Sequence, residues 1–135
     1  MFTAEGDGGG NGGLRSYVIT TPGGPAYLKP VALSTATPVD FRDLIVAGTL
    51  IYAISPDSNR DVTVIDITTP VSPARVAEFD IPNFAAFAGT LDGTTLYLAA
   101  GKGGVPIVNG GTPAAPGCRS HLDTTGIPPG LRATT

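Results

Sequence analysis

The sequence predicts an all-β fold assembled from a repeated four-stranded unit, on three observations. Glycine and proline are dense, 19 and 13 of 135 residues, and both oppose helix, glycine through backbone entropy and proline through its missing N–H and ring clash. Between these breakers the β-branched and aromatic residues cluster, in LIVAGTLIYAI from Leu44, VTVIDI from Val62 and TTLYLAA from Thr94, as strands separated by turns would. The third observation is a Thr-Pro-x-x-Pro corner that recurs three times.

The corner occurs at Thr21–Pro25, Thr69–Pro73 and Thr112–Pro116, copies 48 and 43 residues apart. Each one closes a similar segment, beginning at Phe2, Ile51 and Leu96. The segment runs as a short apolar strand with an aromatic near its start, a polar turn, and a second strand. Leu44 to Leu50 and Gly89 to Thr95 precede the second and third copies, each ending in a Gly-containing hairpin turn. Ala26-Tyr27-Leu28 and Ala74 to Phe79 follow the two-proline corner and read as outer strands, where proline is tolerated because an edge leaves N–H groups unpaired.

A period of roughly 40–50 residues suits one four-stranded propeller blade. The expected fold is therefore a partial β-propeller of two to three four-stranded antiparallel blades, a fragment of a larger ring. Residues 1–38 are expected to supply second to fourth strands, 39–82 a complete blade, and 83–117 first to third strands. Residues 118–135 lack periodicity and are expected to be an unstructured tail. Val62 to Ile67 is apolar on both faces, as a strand between two covering sheets would be. Val64, Ile65 and Ile67 are thus expected to be buried, and Asp57, Asn59 and Arg60 to be exposed. Val18, and Tyr97 or Ile107, are expected on faces with no partner inside the chain.

The run Val64-Ile65-Asp66-Ile67-Thr68-Thr69-Pro70-Val71-Ser72-Pro73 resembles the LVIVD repeat, typified by V-I-D-I/V-S-x-P-x-x-P. That repeat occurs in propeller domains of bacterial and archaeal surface or secreted proteins. The resemblance extends from Phe2 to Pro116, and the flanking copies depart from it. Ser16 to Thr20 lacks the Asp, while Asn109 replaces Asp and Gly110 replaces the last apolar residue of the core. Surface-layer YVTN repeats are similar in blade layout. The resemblance implies a surface or secreted location and no catalytic motif; the first residues, MFTAEGDGGG, lack the basic start and apolar stretch of a signal peptide.

Composition narrows the function classes. The net charge is −3 and the eight Lys and Arg residues are scattered singly, so no basic stripe exists to neutralise nucleic-acid phosphates. No 18-residue apolar span suggests membrane insertion. The single His121 lies beside Ser120 and Cys118 and near Asp123, but sequence neighbours rarely converge as a triad must. Gly101-Lys102-Gly103-Gly104 lacks the leading Gly and trailing Ser or Thr of a phosphate loop and reads as a turn. No cofactor is expected.

Three groups remain as site candidates. Asp57, Asn59 and Asp61 place oxygen ligands at alternating positions, as a calcium loop does at its start, although Val62 and Thr68 stand where Gly and Glu belong. Glu5 and Asp7 offer a second acidic turn. Asp40, Arg42 and Asp43 precede the inner strand of the complete blade, where propeller loops ring one end of the channel and ligands bind. The expected function is a non-catalytic binding or scaffold module of a surface or exported protein, its partners being other blades or copies of itself, and a protein or carbohydrate ligand. The alternatives are a fragment of a propeller enzyme with its active site in other blades, and a short homo-oligomeric lectin-like propeller.

Overall fold

The computed structural model describes residues 1–5, 13–18, 23, 26–30, 41–57, 60–81, 85–101, 104–111 and 117–122. Among them are eleven strands and no α-helix: β1 (Phe2–Glu5), β2 (Gly13–Val18), β3 (Ala26–Pro30), β4 (Asp43–Ala47), β5 (Leu50–Asp57), β6 (Arg60–Asp66), β7 (Ala74–Phe79), β8 (Ala88–Asp92), β9 (Thr95–Ala99), β10 (Val105–Asn109) and β11 (Gly117–Leu122). They form three antiparallel sheets, each with its strands in chain order: β1-β2-β3, β4-β5-β6-β7 and β8-β9-β10-β11.

The sequence repeat is matched bond for bond in the second and third sheets. Gly48 and Gly93 open the two-residue turns between β4–β5 and β8–β9 with φ of 60° and 59°, left-handed values that favour glycine. The amide of Ile67 donates to Thr49 O at 2.8 Å, and that of Gly110 to Thr94 O at 2.7 Å. Arg42 N donates to Ile54 O at 2.7 Å and Phe87 N to Ala99 O at 3.0 Å. Asp66 Oδ1 accepts from Thr68 N at 2.7 Å, and Asn109 Oδ1 from Gly111 N at 3.0 Å. The change from Asp to Asn thus keeps the acceptor that the turn uses.

A register shift marks the outermost pairing of all three sheets, between Ser16 and Tyr17, Val64 and Ile65, and Ile107 and Val108. These positions are equivalent in the repeat. One extra residue there bends the strand and increases its twist.

Two apolar layers join the sheets. Tyr52, Ile54, Val62 and Val64 on one face of the middle sheet pack with Leu96, Leu98 and Val108 of the third. Ile51, Ala53 and Ile65 on the other face pack with Leu14 and Phe2 of the first, and Phe41 joins them. The middle sheet is therefore covered on both sides. The packing also has a constant sense. In the repeat, Phe2 and Leu14 correspond to Tyr52 and Val62, while Leu96, Leu98 and Val108 correspond to Ile51, Ala53 and Ile65. Each sheet presents the Tyr52-type face to the Ile51-type face of the next.

The third sheet departs from expectation at its edge. Residues 118–135 were expected to be a tail, yet Gly117–Leu122 pairs with β10 as a fourth strand. GCRSHL carries little β-branched or alternating character, so its sequence hides the strand. Backbone pairing to the open edge of β10 needs only N–H and C=O groups, which every residue but proline supplies. Arg60 and Ile67 also differ from expectation, both being half-buried. Arg60 sits 3.9 Å from Glu78, which Arg75 also reaches at 3.0 Å. Asn59 lies outside the described residues, and Val64 and Ile65 are buried as expected.

Replacing Ile65, which is 0% exposed, with Ala should cost about 2–5 kcal/mol; an unchanged midpoint in urea denaturation would refute the two-faced core. A second outcome concerns Asp66, whose carboxyl is held below its ordinary value of 3.8 by the Thr68 hydroxyl and amide. A carboxylate with a depressed folded-state value stabilises above its unfolded value, and that contribution is lost as pH falls through the folded value. Asp66→Asn should therefore melt below the parent at neutral pH, and the gap should close on acidification. A gap constant from about pH 6 to about pH 2 would contradict it.

Candidate functional site

The loops leading into β4 and β8 bring exposed side chains to one end of the sheets. Arg42 precedes β4 and is exposed, and Phe87 precedes β8 with 38% of its surface free. Their backbone amides make the same hydrogen bond in the two repeats, so they hold equivalent positions. An aromatic and a guanidinium left in solvent at such a rim offer a stacking surface and a fork of donors. Sequence reasoning found Arg42 but missed Phe87; its equivalence with Arg42 emerges once the hairpins are aligned on Gly48 and Gly93.

Asp43 stands beside this rim with both carboxylate oxygens engaged. Oδ1 accepts from Leu44 N at 2.9 Å and Oδ2 from Gly89 N at 3.1 Å, tying the middle sheet to the third where β4 lies against β8. Space for a side chain at residue 89 is tight. A Cβ there would meet Leu98 Cδ2 at 2.9 Å and the Tyr97 carbonyl oxygen at 3.2 Å. Asp40 lies outside the described residues, so the structure brings together Arg42 and Asp43 of the predicted trio.

Asp61, a candidate calcium ligand, is buried and occupied with the backbone. Its Oδ2 accepts from Ile81 N and its Oδ1 from Ala86 N, both at 2.8 Å. Those amides belong to the connection between the second and third sheets, and Ile81 and Ala86 then fill the layer between them. Burial pushes the carboxyl above its ordinary value. The two backbone N–H donors pull it down, and nearby Asp80 pushes it up again. Asp57 is in β5, while Asn59 and Glu5-side residues such as Asp7 lie outside the described side chains. Among the described residues no three His, Cys, Asp or Glu side chains converge on a metal position.

The remaining motifs read as structure. Around Gly101 the amide of Ala100 donates to Gly104 O and that of Gly104 to Gly101 O, both at 3.1 Å, so these amides face the turn rather than a phosphate. Ser120 and His121 are successive residues of β11, opposite Ile107 and Pro106 in the backbone register. Tyr52 donates its hydroxyl to Gly110 O at 3.1 Å across the interface, and burial pushes its pKa up. A Cβ on Gly110 would lie 3.1 Å from that hydroxyl. The seat of Tyr52 thus accounts for glycine where the repeat has an apolar residue. Among the described residues no helix is long and apolar enough to cross a membrane.

No protein-family model matches the chain, and no curated protein matches it.

Asp61→Asn keeps the shape but places an NH2 group against one of the two amides. It should destabilise by about 1–3 kcal/mol, the cost of an unsatisfied buried group. Hydrogen exchange at Ile81 and Ala86 should speed up accordingly. Unchanged exchange at both amides would show that the carboxylate does not hold the connection.

Proposed function

We propose that the chain is a β-propeller repeat segment of the LVIVD type, acting as a non-catalytic binding or scaffold module of a surface or exported protein. The observation that carries the propeller reading is the same-sense stacking of successive meander sheets, each bulged at the equivalent position. Radial repetition of such sheets is how propellers bury their faces. The location rests on the resemblance of Val64 to Pro73.

The polar groups support a binding role over catalysis. Asp43, Asp61 and Tyr52 spend oxygens on backbone groups of neighbouring elements, which leaves Arg42 and Phe87, among the described residues, as rim groups facing solvent. An exposed ring stacks on a sugar face or an apolar side chain, and a guanidinium pairs with carboxylate or hydroxyl oxygens. A carbohydrate or an acidic protein segment fits that pair.

The test is retention on a glycan and peptide array. The parent should bind, and Arg42→Ala and Phe87→Ala should each weaken binding about tenfold, the loss of one good contact, without moving the thermal melt. Turnover of chromogenic glycosides, esters or phosphoesters that Asp43→Asn abolishes would overturn the non-catalytic reading.

A further inference from the structure

Asp61 has an acidic neighbour that its two backbone bonds do not involve. In the ladder between β6 and β7 the last pair is Val62 opposite Phe79. One step further Asp61 stands opposite Asp80, and the two carboxyl groups meet side chain to side chain. Asp61 is 0% exposed and Asp80 is half-buried. Like charges directly across a strand pair repel, and burial removes the water that would weaken the repulsion. The other charges near this end of the sheet are placed elsewhere. Arg60 and Arg75 lie at Glu78, Arg42 is exposed, and Asp43 is held by Leu44 N and Gly89 N. At this level β5 contributes the uncharged Ser55 and Pro56. The side chains of Glu5, Arg15, Lys29, Asp57 and Lys102 lie outside the described residues. Among the described residues, Asp80 is the charged group that acts on the Asp61 carboxyl.

The same carboxyl holds the chain between the second and third sheets, through the amides of Ile81 and Ala86. We infer that Asp61 and Asp80 form a proton-sharing carboxyl pair, which takes up one proton on mild acidification and thereby fastens the connection between the two sheets. Burial puts that proton on Asp61. Its O–H then donates to the ionised Asp80, and one negative charge replaces two. Each Asp61 oxygen keeps a lone pair for its backbone amide. The closed connection binds the proton more tightly than an opened one, in which water reaches Asp61, so by linkage the proton favours closure. The sign follows the carboxyl. Burial raises its folded-state value above the ordinary 3.8, against the pull of the two amides and with the push of Asp80. Stability from a carboxyl raised on folding is present below its unfolded value and lost as pH rises through its folded value. Asp66, whose value is lowered, behaves in the opposite way.

Carboxyl-carbon NMR and amide exchange on the full chain, followed from about pH 8 to about pH 3, test this. The Asp61 resonance should titrate above the ordinary carboxylate value with a matching step at Asp80, because a coupled pair titrates as a unit. Exchange at Ile81 and Ala86, corrected for its intrinsic rate, should slow about threefold or more as pH falls through that step. Asp80→Asn removes the charge and leaves an amide donor toward Asp61. In that variant the Asp61 midpoint should fall, and the pH dependence of the two amides should vanish. Should the variant fail to fold, the titration of the parent decides. An Asp61 midpoint at or below the ordinary value would overturn the proposal, as would corrected exchange that quickens through the step. So would an Asp61 midpoint in Asp80→Asn equal to that of the parent. A midpoint displaced by added calcium chloride would assign the pair to a cation in place of a proton, and would overturn it as well.

Discussion

The central strands of a β-sheet with a core on each side have no face left for solvent, so β5 and β6 must be buried at odd and even positions alike. That constraint explains most of the molecule. It produces Val62-Thr63-Val64-Ile65, in which neighbours along the strand enter different layers. It also sets where the polar groups go. Asp61 lies beside Val62 and is fully buried, so its carboxylate needs donors, and the backbone of the next connection supplies them. A buried polar group left without partners costs more than a bond contributes when made. The connection and the carboxylate therefore hold each other in place.

Asp61, Asp43 and Tyr52 do comparable work at three points of one interface. Each crosses from the middle sheet to the third or to the chain entering it, and each ends on a backbone group. Apolar layers are non-directional and tolerate sliding. Hydrogen bonds to fixed amides and carbonyls do not. The layer of Tyr52, Ile54, Val62, Val64, Leu96, Leu98 and Val108 holds the sheets together, and the three polar contacts set how they are offset. The surface ion pair between Arg75 and Glu78 adds little to this, because exposed pairs contribute roughly 0–1 kcal/mol.

The parts legible in the sequence were those written in side-chain pattern. The two-faced strand from Val62, the glycine turns at Gly48 and Gly93, and the repeat of the Thr-Pro corner all leave a compositional trace. The exposure of Tyr97, one of the two positions expected on an unpartnered face of the last repeat, agrees with that pattern, while Ile107 is half-buried and the side chain of Val18 lies outside the described residues. What escaped was written in the backbone or in distant contacts. β11 forms from GCRSHL because an unpaired edge was waiting for it, and no property of those six side chains announces that. Asp61 looked like one of three oxygen ligands on a turn, since spacing alone does not reveal that its strand is buried on both faces. Gly110 looked like decay of the repeat until Tyr52, 58 residues away, was found donating to its carbonyl. Phe87 was passed over because it is an aromatic next to alanines, and only its shared hydrogen bond with the Arg42 position shows where it stands.

The register shift at Ser16, Val64 and Ile107 has a consequence for how such a chain diversifies. Because every unit bends at the same place and meets its neighbour through the same positions, the junction between units is an interchangeable part. Duplication of one unit in the gene adds a sheet whose two faces already match what lies before and after it. Deletion of one unit rejoins faces that already match. The number of units can drift without a new packing solution, while the rim positions held by Arg42 and Phe87 vary independently from copy to copy. Architecture is inherited by the unit, while the side chains of the entry loops can change one loop at a time.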